Sequence, residues 1–482
     1  MPVDRPQDPA SPSAAALADL WRAAGLPAAA LAQVSVQGRE PVLPSSFDVS
    51  TAAQASLGAA ALAAAELWQL RTGQRQRVRV DRAHAALECT GHFALDGQVP
   101  ALWDKLSGLY ACGADIGQPG WVRIHANFAH HRDGALALLG LPTGPATERQ
   151  AVSQALRGWA AESFEQAAAD AGLVVAAARR FAQWDIHPQS LALADRPVVA
   201  MQRIGDAPAV AWTALAAGGP PLSGLRVLDL TRILAGPVAG RCLAAYGADV
   251  MLVNGPHLPN IEAIADTSRG KLSTWLDLRT PDDRAQLGRL ADEAQVFLQG
   301  YRPGTLADRG FSAEALAARR PGIVVASLSA YGPFGPWSGR RGFDSLVQTA
   351  TGFNMAEAEA AGDTAPKAMP MQILDYAAGH LLAFGIQAAL WHQATQGGSW
   401  QVQVSLAGVG RWLRGLGRVP DGLAARAPDV QPLLEDSTCG FGPGGQAVLR
   451  AMRHAAEFSA TPARWRRPAM PPGSHAPVWP TR

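Results

Sequence analysis

Only four cysteines occur in the 482-residue chain, Cys89, Cys112, Cys242 and Cys439, and no two stand at C-x-x-C spacing. That argues against a zinc site and a disulfide framework, and fits a reducing, cytoplasmic compartment. Charge is scarce too. Charged residues make up 17% and the net charge is +2, no electrostatic footprint for nucleic acid or an acidic membrane surface. No apolar run reads as long enough to span a bilayer; the longest candidates, Leu57–Leu67 and Ala171–Ala178, are short and rich in alanine. Met1–Ser13 lacks an apolar signal core and reads as a frayed tail rather than a secretory leader. A G-x-S-x-G elbow, a P-loop and an H-E-x-x-H are all missing, so the common hydrolase, nucleotide and metalloprotease signatures have no support.

Against this background one carboxylate stands out. Asp375 opens the Ala/Leu-rich helix that runs to Trp391 and is alone in a long apolar stretch. As structure, it is an N-cap that accepts bonds from the first-turn N–H groups. As chemistry, it is a nucleophile for an activated acyl group.

The chain is read as a tail (1–14), a helix–turn–strand–helix segment (15–110), a small α+β domain (111–213), a linker (214–221), an α/β domain (222–413) and a Gly/Pro/Arg-rich tail that wraps the surface (414–482). In the α/β domain, strands at Leu225–Leu230, Asp249–Val253, Val296–Leu298 and Ile323–Leu328 alternate with helices. Such alternation predicts a doubly wound parallel sheet. Ala59–Leu87 and Leu382–Leu413 resemble each other: a small-residue helix ending in Trp68 or Trp391, a polar turn, a Val-x-Val strand and another helix. A partial duplication is the preferred reading. Counting back from the tryptophans sets Ala52 opposite Asp375, so the first copy lacks the acid.

Ligands of such sheets sit at the carboxyl ends of the strands. Ala235–Gly240 opens a helix there, and its amides suit a phosphate. It is no G-x-G-x-x-G, and the second strand ends in Asn254 where an NAD site places an acid, which disfavours a dehydrogenase. Arg269, Lys271, Arg279, Arg302, Arg309, Arg340 and Arg341 form a basic set suited to a polyphosphate such as that of coenzyme A or ATP. Tyr331–Trp337 reads as an aromatic loop able to shape an acyl pocket, or as only a turn, and Met369 and Met371 add to that apolar expectation. His125, His130 and His131 lack partner ligands and read as surface or core-edge side chains rather than a metal site.

The motifs together resemble one family. Leu222–Pro237 (LSGLRVLDLTRILAGP) is similar to the opening of class III coenzyme A transferases, the CaiB/BaiF family. Tyr246–Val250, Ser268–Lys271, Leu276–Leu278, Tyr301–Gly304, Ser329–Gly332, Gly342–Asp344 and Leu374–Gly379 follow in family order, and Thr461–Trp465 through His475 resembles its C-terminus. Arg71–Gly73, Trp121–Arg132 and Trp184–Pro188 resemble its later part, so the order looks permuted.

The resemblance implies a doubly wound, Rossmann-like CoA-binding domain over 222–413. It implies Asp375 as the nucleophile that forms an acyl anhydride and then an enzyme–CoA thioester. Ile233, Leu234 and Ala235 would line the adenine or pantetheine side, and Leu276, Arg279, Tyr301, Arg309 and Arg341 would contact CoA. Gly113–Gly120 would stand for the family's shielding glycine loop. Coenzyme A and acyl-CoA enter as substrates, with a carboxylic acid as acceptor, no resident cofactor, no metal, and no nucleic acid or membrane partner. The family's interlocked dimers allow a homodimer. Racemases of the family pair the aspartate with a histidine before the Gly-x-Asp acid; Phe343 stands there, which favours transfer over racemisation. A CoA-binding paralogue without turnover is the alternative from another class.

Overall fold

The structure, a computed structural model, describes residues 11–38, 40–215 and 218–481. Met1–Ala10 of the expected tail, and Ala216 and Ala217 of the linker, lie outside the described residues. The tail reading extends too far: Pro12–Ala23 is a helix with proline at its start, held down by buried Leu17, Leu20 and Trp21.

Seven strands form the central sheet: β1 (Ala200–Gly205), β2 (Arg226–Leu230), β3 (Asp249–Asn254), β4 (Lys271–Trp275), β5 (Val296–Gln299), β6 (Val324–Ser329) and β7 (Ser399–Ser405). Their spatial order is β4-β3-β2-β5-β6-β7-β1, parallel throughout except for β1, which runs antiparallel to β7. Alternate side chains serve the two faces. Val227, Val250, Val296, Leu298 and Val324 join one core with three helices, α1 (Val49–Thr72), α2 (Ala235–Ala245) and α3 (Ile373–Gln396). Leu228, Met251, Phe297 and Val325 join another with Leu287, Leu290 and Leu316 from helices Pro281–Glu293 and Ala313–Arg319. The chain is thus mixed α/β with a parallel sheet covered on both faces.

Two strands depart from expectation. In the sequence β4 reads only as a basic motif, because Lys271 looks like surface charge. β1 falls within the expected small domain, yet it edges the central sheet.

The small α+β unit consists of antiparallel strands Gly108–Cys112, Gly120–Ile124 and Val175–Ala177, with helices Ala129–Leu138, Arg149–Leu156 and Ala161–Asp170 packed on its own core. The stretch after Arg414, expected to wrap the surface, contributes strands. Ala456–Phe458 pairs with Val78–Asp81, and Ala447–Met452 pairs with Phe93–Leu95. Segments from the early and late parts of the chain therefore share two three-stranded sheets.

α1 and α3 are each 24 residues long and pack together, with Gln387 Nε2 donating to the Ala60 carbonyl at 3.0 Å. α3 has the length and mean hydropathy (1.3) of a membrane span, contrary to the expectation that no run approaches it, but its apolar window is fully buried inside the protein. Gly379 permits its close crossing with α2: a Cβ there would lie 2.6 Å from the Ala235 carbonyl oxygen.

Candidate functional site

A cavity of about 410 Å³, a size suited to a small ligand, opens at the carboxyl ends of the parallel strands. Its walls come from the turns after β2, β3, β4 and β5, the end of β6 and the start of α3. All nine residues singled out from the sequence line it: Asp375, Ile233, Leu234, Ala235, Leu276, Arg279, Tyr301, Arg309 and Arg341.

Asp375 lies in the first turn of α3 and is 9% exposed. It does not act as a cap. Gln372 occupies the N-cap position without a side-chain bond, and the Asp375 carboxylate has no hydrogen bond among the described residues. The contrast is α1, where Asp48 accepts from the Thr51 N–H at 2.9 Å. Ala52, opposite Asp375 by sequence count, is fully buried.

What holds Asp375 is its backbone. Its N–H donates to Asp344 Oδ2 at 2.8 Å, and Asp344, fully buried, also accepts from the Gln348 amide. Burial pushes the Asp344 carboxyl up to about 7. Burial and the neighbouring Asp344 charge push Asp375 well above the usual carboxylate range. Two carboxylates this close titrate as a pair. The arrangement offers a carboxylate that is poorly solvated, fixed by its own main chain and aimed into a cavity.

The rest of the lining is cationic. Arg232, Arg279, Arg302, Arg309, Arg340 and Arg341 all contribute, and Asp375 is the one carboxylate among the lining residues. Arg279 is paired with Asp277 at 2.6 Å, and Arg309 donates to the Thr305 carbonyl at 2.6 Å. Arg341 has no ion pair among the described residues; burial and the charge of Arg302 depress its pKa. Neighbouring guanidinium groups without an anion between them favour an anionic ligand. Ile233, at the turn into α2, takes a φ of 75°. A β-branched residue in that region costs about 1–3 kcal/mol and marks a turn whose shape is imposed by its surroundings.

Several basic and aromatic expectations are corrected. Lys271 is fully buried, donating to Asp229 Oδ2 at 2.9 Å and the Pro237 carbonyl at 2.8 Å. Arg269 is likewise buried against Asp266 and the Met452 carbonyl. Both are internal ties, not ligand contacts. In the aromatic loop, Tyr331 and Trp337 are buried in the main core beside the helix Pro188–Ala192, where Gln189 donates to the Tyr331 carbonyl and accepts from the Trp337 N–H, both at 2.7 Å. Met369 and Met371 are core residues. Gly113–Gly120 spans a strand connection away from the cavity lining.

Two lining side chains lie beyond what the sequence suggests. Arg232 sits between strand and helix, where its position after β2 is the available signal. His131, considered from sequence only against a metal site, is buried and lines the cavity with Phe128. His125 instead stacks on Phe343, with ring centroids 4.0 Å apart. No group of three potential ligands that could hold a metal occurs among the described residues.

A model of the family described as CoA-transferase family III matches residues 222–416. The chain is 38% identical over 200 residues to a probable fatty acyl-CoA transferase, Rv3272, of Mycobacterium tuberculosis, covering 39% of this chain and 50% of the relative. It is 34% identical over 210 residues to a succinate–glutarate CoA-transferase of Agrobacterium fabrum, covering 39% and 52%. A crystal structure of Rv3272 aligns at 36% identity and a TM-score of 0.38, covering 41% of this chain and 58% of that one. The chain spans about half the length of these curated relatives. Residues 222–416, which carry Asp375 and most of the cavity wall, are thus similar to CoA-transferase family III.

Proposed function

We propose that this protein is a cytoplasmic enzyme that moves coenzyme A from an acyl-CoA donor to a carboxylic acid, with Asp375 as nucleophile. One observation carries the reading: a buried carboxylate without hydrogen bonds shares its cavity with six arginines. The parallel-sheet region serves as a doubly wound CoA-binding domain, its arginines take the phosphates, and the paired long helices descend from a duplication within a permuted chain. Asp375 attacks the thioester carbonyl, giving an acyl–aspartyl anhydride and CoA thiolate. The thiolate returns to the aspartyl carbonyl, the acyl carboxylate leaves, and the acceptor acid reverses both steps. A dry, poorly solvated carboxylate is what the first attack requires.

Trapping tests it. Incubation with acyl-CoA and hydroxylamine or borohydride should modify Asp375, read by peptide mass spectrometry. CoA binding without any Asp375 adduct would overturn the transferase reading in favour of a binding protein.

The carboxyl pair sets the pH dependence. Raised pKa values mean that ionised Asp375 accumulates as pH rises, so kcat/KM should climb with pH. Asp344→Asn removes the like charge while keeping an acceptor for the Asp375 N–H, and should move that limb to lower pH. An unmoved limb in a pH–rate profile would refute the coupling.

Arg341→Ala removes a guanidinium without an ion pair. It should raise KM for acyl-CoA roughly tenfold, the worth of one charge-assisted bond, with kcat nearly unchanged. Steady-state kinetics at two salt concentrations would show it, and a fall in kcat alone would contradict it.

A further inference from the structure

The cavity has a wall from outside the family-matched segment. His131 belongs to the helix Ala129–Leu138 of the small unit, yet lines the same cavity as Asp375. It is 4% exposed, and neither of its ring nitrogens has a hydrogen-bond partner. Both nitrogens of a buried imidazole standing unpaired calls for an explanation, since buried polar groups are nearly always satisfied. Stacking does not supply one. His131 meets His130 at 4.0 Å between ring centroids, Phe128 edge-on at 5.7 Å and Phe343 at 6.2 Å, and none of these rings bonds either of its nitrogens. His125 shows the structural alternative: it lies flat on Phe343 and does not line the cavity.

Phe343 connects the two groups. Its ring neighbours His131, and the next residue, Asp344, accepts the Asp375 N–H. The faces around His131 carry His130, His125, Arg341 and Arg232, all of which disfavour a second positive charge, and burial acts in the same direction. The imidazole is therefore neutral, with one N–H donor and one acceptor nitrogen.

We infer that His131 is a catalytic residue whose ring N–H holds the acyl oxygen at Asp375 during transfer. The inference rests on the transferase reading above. Asp375 Oδ forms a bond to the thioester carbonyl carbon, the C–S bond breaks, and its electron pair leaves on sulfur. The carbonyl oxygen bears negative charge between these events. His131 shares its proton with that oxygen and keeps it, so no further reactant is needed. A neutral donor fixed in a water-poor wall stabilises such charge without reorganising. The same N–H receives the acceptor's carboxylate on the return. The site is complete only when the small unit docks against the sheet.

The test compares wild type, His131→Phe, His131→Asn and His131→Gln, the last two placing an amide N–H near Nδ1 or Nε2. Each is measured for CoA affinity by calorimetry, for Asp375 adduct formation and for transfer kinetics. His131→Phe should bind CoA as wild type does and lose about 10²–10³-fold in kcat, the usual loss of one oxyanion donor. KM for acyl-CoA should stay within about threefold, and one of the amides should restore about tenfold. Wild-type kcat in His131→Phe, or a loss that neither amide relieves, overturns the role of His131 and leaves the transferase intact. No Asp375 adduct in wild type overturns the transferase reading and this inference with it. Solvent deuterium entering the α-carbon in wild type but not in His131→Phe would make His131 a base and also overturn it.

Discussion

Asp375→Asn is expected to abolish transfer, lowering kcat by about 10⁴-fold or more while CoA still binds. The substitution keeps the volume of the side chain and leaves the backbone N–H on Asp344. What disappears is the anion proposed above to form the anhydride, and no other carboxylate lines the cavity to replace it. The variant should also be more stable than wild type in alkali. Burial raises both carboxyl pKa values in the folded protein, and the Asp344 charge raises that of Asp375 further. A raised folded pKa contributes stability that is present at low pH and lost as pH rises through the folded value. The introduced amide does not titrate and removes the partner charge from Asp344. The unfolding midpoint of Asp375→Asn should exceed that of wild type at about pH 8, with the gap closing towards about pH 5. Thermal melts at the two pH values, run beside the transfer assay, read both effects. Residual transfer near the wild-type rate would remove Asp375 from the chemistry, and an unchanged alkaline melting point would remove the charge repulsion.

The buried position of Asp375 at a helix start and the strand-end turns are legible because local sequence decides them. An Asp in an otherwise apolar run, a glycine–proline turn after an apolar strand and a row of arginines in the following turns all concern residues close in the chain. β4 is not legible because a buried lysine has the same sequence appearance as an exposed one; Asp229, 42 positions away, and the Pro237 carbonyl make Lys271 an interior residue. The strand role of the C-terminal stretch is hidden for a related reason. Its partners, Val78–Asp81 and Phe93–Leu95, lie at the other end of the chain, and short strands of mixed polarity acquire their pairing from contact rather than propensity. His131 shows a third kind of loss. Its neighbours in sequence suggest a metal motif, whereas its meaning comes from the cavity into which the small unit places it.

The buried pair of Lys271 and Asp229 gives a large effect on stability. Lys271→Met is expected to destabilise the protein by about 3–5 kcal/mol, the usual result of removing one member of a buried ion pair. Both side chains are fully buried, so Asp229 would be left ionised without its cation or forced to take up a proton. Space offers no relief: Gly240 stands so close that a Cβ there would lie 2.3 Å from Asp229 Oδ2 and 2.8 Å from Lys271 Nζ. The consequence reaches the site, because Asp229 also accepts from the Thr231 N–H at 3.0 Å and from its hydroxyl at 2.5 Å. That turn leads directly to the positive-φ Ile233 on the cavity wall. Urea unfolding should therefore show the loss of stability, and CoA affinity should fall although Lys271 itself lines no part of the cavity. The double variant Lys271→Met with Asp229→Leu separates the two contributions. Replacing both charges by apolar groups should recover most of the stability. It should not recover CoA affinity, since a leucine side chain in place of Asp229 has no acceptor to hold Thr231. Full recovery of both would show that the pair is a packing element alone, with no part in shaping the turn.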